Sequence, residues 1–334
     1  MSGYEQPGNE STHAVGVVLI GRNEGRRLER CIQSIDLGKT AAVYVDSGST
    51  DHSVAFCRAA GVTVVELDTH IPFTAARARN AGLQALLLRY PHIDFVQFVD
   101  GDCQLQPHWI ATAQDFLAGN PHCAAVCGRR REIDPARSVY NRLCDIEWDT
   151  PVGEARSFGG DVMLRAQALA AVGGYRDDLI AGEEPELAFR LRGAGWKIHR
   201  IDAEMTLHDA GMTRFSQWWR RAQRAGYARA NGVLLHGNSA ERYYVKPLLS
   251  TLTWGAALPF AIALSSLWSP LAALLLLAYP VQYLRMASSS NNRAGAPYSR
   301  PLFLLLGKFP EALGSLQFIY ERAIDKRPQI IEYK

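Results

Sequence analysis

From Pro247 to Leu284 the chain carries no charged side chain, a run of 38 residues. As one continuous helix this run would reach roughly 57 Å, nearly twice the ~30 Å hydrocarbon core of a bilayer. Its length therefore predicts two limbs joined near Ser269-Pro270, within a segment spanning 247–286. Pro280 interrupts the second limb, so two crossings and a re-entrant or interfacial hairpin both fit; a buried hairpin in a soluble domain is the alternative. Arg242 and Lys246 flank one end, and Arg285, Arg293 and Arg300 the other. Basic flanks at both ends predict that both ends lie on the cytoplasmic side. Further on, Leu302, Leu305, Leu306, Phe309, Leu313, Leu316 and Tyr320 keep a helical face, with Lys308, Glu311 and Glu321 among them. An amphipathic helix in the membrane interface, kinked at Pro310 and followed by a tail, is expected over 300–334. Packing against the rest of the chain would give the same pattern.

Upstream of this region the composition is that of a globular domain. Hydrophobic residues are 48% and charged residues 21% of the whole, and the net charge is only +3, which gives no footing to a nucleic-acid partner. Residues 1–13 are polar, read as a disordered tail without a secretory signal, so the amino-terminal domain is expected in the cytoplasm. The six cysteines follow no CxxC spacing and read as reduced thiols.

Residues 14–100 alternate between two periods. "AVGVVLI" (14–20), "AAVYVD" (41–46), "VTVVEL" (62–67) and "FVQFV" (95–99) are short, β-branched, continuously apolar runs. Between them lie helical patterns: Leu28, Cys31, Ile32 and Ile35 on one face, then "SVAFCRAAG", then "AARARNAGLQALLLRY". Strands buried on both faces and alternating with helices predict an α/β fold, a Rossmann-like, mainly parallel sheet flanked by helices. Such sheets bind ligands at the carboxyl ends of their strands. Polar residues gather there: Asn23 and Glu24, Asp46 to Asp51, and Asp100 with Asp102. Two carboxylates at i and i+2, with Gly101 between them, suit a hard divalent cation, magnesium or manganese. Alone, Asp-Gly-Asp is as well read as a solvated turn; its place at the end of a fourth strand favours the metal.

Five segments, "VVLIGRNEGRRLERCIQSI", "VYVDSGSTDHS", "ARARNAGL", "FVDGDC" and "GGDVMLRAQALAAVGGYRDDLIAGEEPELAFRLRGAGWKI", follow one another in the chain. Together they resemble family 2 glycosyltransferases of the GT-A fold, over roughly residues 14 to 210, within a catalytic domain expected at 14–240. The resemblance implies transfer of a sugar from a nucleotide diphosphate donor with inversion, aided by a divalent metal. By position, it implies that Asn23 and Glu24 wrap the nucleotide, that Asp46 meets the base, and that Arg79, Asn80 and Asp100 serve the donor. Asp100 and Asp102 would hold the metal, with His208 completing that site. Asp51 falls where the motif's last acid lies, and "STD" before a helix is also a cap, the preferred reading. Arg77 reads equally as a solvated helix residue. Asp161, in Gly159-Gly160-Asp161, would lie on the acceptor side.

A transferase of this kind needs a base for the acceptor hydroxyl. The resemblance implies the second acid of a Glu-Asp pair heading a helix; here the pair is Glu183-Glu184, so Glu184 stands in place of Asp and the choice between the two stays open. Pro185 fits a helix start under either role. "QWWRRAQRAGY" (217–227) holds the residues of the processive enzymes' Gln-x-x-Arg-Trp segment but not their order, which argues against polymer synthesis; a basic, Trp-rich helix also suits a lipid interface. The whole reading is a membrane-attached transferase with its catalytic domain facing the cytoplasm, acting on a nucleotide-diphosphate sugar and a polyprenyl-linked or other sugar acceptor. Alternatives are a non-catalytic sugar-nucleotide binder or membrane assembly subunit, and a sugar nucleotidyltransferase. The last would need a Gly-rich basic loop where this chain has "GRNEG".

Overall fold

A computed structural model describes residues 14–289, 296, 298–326 and 331. The expected tail at 1–13, Arg293, and the end of the chain apart from Ile331 lie outside the described residues. The chain divides into two compact units. One comprises the residues up to Arg130, Thr150–Asp177 and Leu187–His208; the other comprises Arg131–Asp149, Asp178–Glu186 and everything from Asp209.

The first unit is built on a nine-stranded sheet. Its strands are β1 (Val15–Gly21), β2 (Ala41–Asp46), β3 (Thr63–Glu66), β4 (Phe95–Asp100), β5 (Cys103–Leu105), β6 (Cys123–Glu132), β7 (Gly153–Glu154), β8 (Val162–Arg165) and β9 (Lys197–His208). They run in the order β3-β2-β1-β4-β8-β6-β9-β5, with β7 paired to β9. The first four are parallel, as their uninterrupted apolar runs and intervening helices require. Beyond β4 the sheet turns antiparallel, through β8 and then through the β5–β9 and β7–β9 pairs. The parallel expectation therefore holds for one half of a mixed sheet. Register fixes the functional edge: Gly21 pairs with Asp46 and Ile20 with Asp100, so the ends of β1, β2 and β4 stand side by side.

The helix Ala75–Arg89 packs across β1 and β2. Thr74 caps it by accepting from the Arg77 amide at 3.0 Å, and Arg77 in turn donates to the Ile71 and Asp68 carbonyls, holding the preceding loop. All six cysteines are buried free thiols.

The second unit is helical apart from the end of β6, and its central pair is Phe215–His236 against Lys308–Ala323. The two backbones touch: a Cβ on Gly226 would collide with the Glu311 carbonyl, and one on Gly314 with that of Gln223. Polar side chains then bridge the pair. Gln223 donates to Gln317 at 2.9 Å, the Tyr227 hydroxyl to Glu321 at 3.1 Å, and Arg229 pairs with Glu311 at 2.6 Å. This packing draws 209–240 into the helical unit, so the expected domain limit at 240 falls inside it.

The uncharged run forms Val245–Leu252, a π-helical turn at Thr253–Ala257, and Leu258–Ser265. Pro259 cannot donate to the helical ladder, and the turn ahead of it widens. The chain then bends through 266–269 and continues as a 3-10 helix, Pro270–Leu277, and an α-helix, Ala278–Ala287. The next break is at Gly307 rather than at Pro310, which occupies the first turn of Lys308–Ala323, where a missing N–H costs nothing. Three helices, Val245–Ser265, Pro270–Ala287 and Ser299–Ala323, are long and apolar enough to cross a membrane.

Candidate active site

β4 is buried until Val99 and then delivers Asp100 to the sheet edge. The Gly101 amide donates to the Ile20 carbonyl at 2.8 Å, which seats the Asp-Gly-Asp turn on β1. Arg79, almost wholly buried beside the Tyr175 ring, donates to Asp100 Oδ1 at 3.0 Å. Arg130, at the end of the buried part of β6, reaches Asp100 Oδ2 at 3.5 Å. Gly160 closes against both partners: a Cβ there would lie 2.6 Å from Asp100 Oδ2 and 2.7 Å from Arg79 Nη2.

Asp161 stands beside these groups. Its side chain is fully buried, accepting from Thr206 at 2.7 Å and from the Asp100 amide at 3.2 Å, with Arg130 Nε 3.3 Å away. The carboxylate is thus engaged by the Thr206 hydroxyl and the Asp100 amide, with Arg130 beside it. Arg130 and Thr206 were not singled out in the sequence. Arg130 sits in a run of three arginines, Arg129-Arg130-Arg131, and only strand alternation distinguishes the one that faces the acids.

Asp102 is buried, and His208 Nε2 lies 3.4 Å from its Oδ1. His208 ends β9 directly across from Cys103 in the antiparallel ladder. Ligand atoms of Asp102, Cys103 and His208 all lie within 4.8 Å of one another, as do those of Asp100, Cys103 and Asp161. Carboxylates at i and i+2 with an imidazole beside them are a donor set that fits a divalent cation. Burial, and then the Asp161 carboxylate, push the Cys103 thiol well above its usual range.

The nucleotide-side residues divide into two groups. Asn23, at φ 56°, accepts from the Thr50 amide at 2.7 Å and donates its own amide to the Ser49 hydroxyl at 2.9 Å, tying the β1 loop to the β2 loop. Glu24 is ion-paired to Arg27 at 2.7 Å, and a Cβ on Gly101 would lie 3.2 Å from its Cγ. Asp46 is buried, accepting from the Tyr44 hydroxyl at 3.0 Å and from the Gly48 and Ser49 amides at 2.9 and 2.8 Å. Burial and the Asp46 charge keep that Tyr44 hydroxyl protonated. One lone-pair position on Oδ1 of Asp46 is left for a ligand donor. Asp51 accepts from the Ser53 amide at 2.9 Å, a capping contact at the helix start. Asn80 is engaged elsewhere: it donates to the Tyr175 carbonyl at 2.7 Å and to Asp177 at 2.6 Å, and accepts from the Tyr175 amide at 2.9 Å. These contacts tie Asn80 to the 174–177 loop.

Residues 17–162 match the family described as Glycosyl transferase family 2. This match takes in under half of the chain. Among curated proteins, the pre-mycofactocin glycosyltransferases of two Mycobacterium tuberculosis strains are each 25% identical to it over 222 residues. That match takes in 61% of this chain and 44% of theirs, so the chain spans under half the length of the curated relatives it matches. Among solved structures, the mannosyltransferase PcManGT from Pyrobaculum calidifontis, in complex with GDP-Man and Mn2+, has a TM-score of 0.61 at 21% identity, covering 92% of this chain and 88% of that one. GalNAc-T7 with UDP, GalNAc and Mn2+ has a TM-score of 0.50 at 14% identity, covering 75% and 52%. At these identities the likeness is one of fold, and the fold is GT-A.

Glu183 and Glu184, the acids expected to supply a base, head the helix Glu183–Gly193, Glu183 buried and Glu184 half-buried. The third acid of this turn, Glu186, is buried and paired with His236 at 2.9 Å. Glu186 is thereby held in a structural contact.

Proposed function

We propose that this chain is an inverting, metal-dependent hexosyltransferase that moves a sugar from a nucleotide diphosphate to a polyprenyl-linked acceptor, in polysaccharide or glycolipid assembly at the cytoplasmic face of a membrane. The observation that carries the catalytic part is the pairing of Asp102 with His208 beside Asp100 at the carboxyl edge of the sheet. PcManGT, which shares the fold, binds GDP-Man with Mn2+, and this supports a nucleotide sugar and a cation here.

Asp100, Asp102 and His208 would hold magnesium or manganese, which when bound neutralises charge developing on the diphosphate. Arg79 and Arg130 fix the Asp100 carboxylate, and Asp161 fixes Arg130. Asn23 and Glu24 shape the loop over the nucleotide, and the open position on Asp46 suits an N–H of the base. Glu184 takes the proton of the acceptor hydroxyl as its oxygen bonds to the anomeric carbon and the bond to the diphosphate breaks, a single displacement that inverts. Glu183 is the neighbouring choice.

The exposed apolar run at 245–287 supports the membrane part, entering the bilayer as two crossings or as a re-entrant hairpin. The charged residues of Lys308–Ala323 favour a helix at the interface over a third span. Arg242, Lys246, Arg285 and Arg300 support cytoplasmic ends. The test is transfer from a panel of sugar nucleotides to polyprenyl phosphate and polyprenyl-diphosphate sugars in detergent. Glu184→Gln is expected to keep donor binding and lose transfer by about a thousandfold. Transfer undiminished in this variant would pass the role to Glu183; no transfer to any lipid acceptor by the native chain would leave a non-catalytic binder.

A further inference from the structure

Cys103 is fully buried, yet its surroundings are not those of an apolar core residue. Its sulfur lies 3.6 Å from Asp102 Oδ1 and 3.5 Å from Arg130 Nη2, and His208 stands opposite it in the β5–β9 ladder. Directly opposed residues of an antiparallel pair put their side chains on one face at close range. Asp102 Oδ1 is also 3.4 Å from His208 Nε2, and all three ligand atoms fall within 4.8 Å of one another.

These separations are compatible with a tetrahedral ion, and the kind of donor atoms narrows the metal. A tetrahedral ion with the ordinary zinc bond lengths, about 2.3 Å to sulfur and about 2.1 Å to nitrogen and oxygen, separates its oxygen and nitrogen ligands by about 3.4 Å and its sulfur and oxygen ligands by about 3.6 Å. Octahedral magnesium at about 2.1 Å would bring neighbouring ligands to about 3.0 Å. Hard cations also have no use for sulfur, whereas a thiolate, an imidazole and a carboxylate together select thiophilic ions.

We propose that Asp102, Cys103 and His208 form a tetrahedral site for a thiophilic divalent cation of the zinc class, overlapping the magnesium or manganese site and inhibiting transfer when filled. The inference rests on the reading that Asp102 and His208 hold a cation, and adds a third ligand that the transfer reaction does not use. Binding replaces the S–H bond of Cys103 with a metal–sulfur bond, and the proton passes to buffer. Two carboxylate or imidazole ligands of the serving cation are then committed to an ion with a closed, differently shaped shell.

Cobalt(II) is the probe, added alone to the detergent-purified full chain. The wild type is expected to show thiolate-to-cobalt charge-transfer absorption that stoichiometric Zn2+ abolishes and that Cys103→Ser lacks. Zn2+ affinity should fall at least about tenfold in Cys103→Ser, while Mn2+ affinity, read by electron paramagnetic resonance, moves less than about threefold. A cobalt spectrum without the thiolate band, or one unchanged in Cys103→Ser, overturns the proposal while leaving the Mn2+ site standing. If neither Co2+ nor Mn2+ binds, the cation reading itself fails and this proposal with it. Should Cys103→Ser not fold, the wild-type cobalt spectrum still decides the matter.

Discussion

In the sheet unit, large apolar side chains left in water are scattered singly, as Leu88 is at 85% exposure. In the helical unit they are contiguous: Leu267, Trp268, Leu271, Leu274 and Leu275 follow one another, and Trp268 is 76% exposed. Isolated exposed leucines are ordinary on soluble proteins, whereas a continuous apolar surface marks an interface or a membrane. Polar groups show the converse contrast. The sheet unit holds its acids in charge-balanced contacts at a strand edge, half-buried Asp100 with Arg79 and buried Asp161 with Arg130. The helical unit pairs polar groups between helices whose backbones touch, half-buried Gln223 with Gln317 and buried Tyr227 with Glu321. One unit is organised to present charge to a ligand, the other to hold helices together where water is scarce.

The largest effect should come at the sheet edge. Asp102→Ala is expected to cut turnover by about a thousandfold or more, since charge neutralisation by a cation supplies several kcal/mol and each 1.36 kcal/mol is tenfold. Circular dichroism and melting should stay near native, and activity surviving at ordinary metal concentration would break the assignment. Asp161→Ala acts through stability instead. It leaves Arg130 without its buried carboxylate, which should cost about 3–5 kcal/mol, measured by denaturant unfolding; an acceptor-binding role would predict a raised KM and an unchanged midpoint. Leu274→Arg should cost about 3 kcal/mol of membrane insertion if that helix sits in lipid, seen as loss from the membrane fraction. Leu88→Arg, on a leucine still more exposed, should change stability by less than about 0.5 kcal/mol. Equal behaviour of these two variants would erase the distinction between the units. Thr206→Val, which removes one neutral donor from Asp161, should cost about 1–2 kcal/mol, less than Asp161→Ala.

The parallel half of the sheet was legible because a strand buried on both faces has to be continuously apolar. β2 coincides with "AAVYVD", and β4 differs from "FVQFV" only by including Asp100. The antiparallel half was not legible as such. β8 has four residues and β7 two, and their pairing depends on partners far away in sequence, which local periodicity does not record. The acids at the strand ends were legible for the same topological reason. Their contacts were less so: the burial of Asp161 and the partners of Asn80 appear only once β9 and the 174–177 loop are in place. Arg130 needed strand alternation to be told from its arginine neighbours. The 299–323 segment was read as amphipathic. Its inner face is given meaning by close contact at Gly226 and Gly314, small residues whose packing role no hydropathy pattern displays.

The central claim is that Asp100, Asp102 and His208 hold a cation that in turn holds a nucleotide diphosphate. Thermal unfolding of the detergent-purified chain against a panel of nucleotide diphosphates and their sugars, with and without Mn2+, tests it in native and Asp102→Ala protein. The account predicts that one nucleotide stabilises the native protein only when Mn2+ is present, by about 2.7 kcal/mol at a hundred times its Kd, and that Asp102→Ala shows no such shift. A shift of equal size without metal or in the variant, or none with any nucleotide, would contradict it.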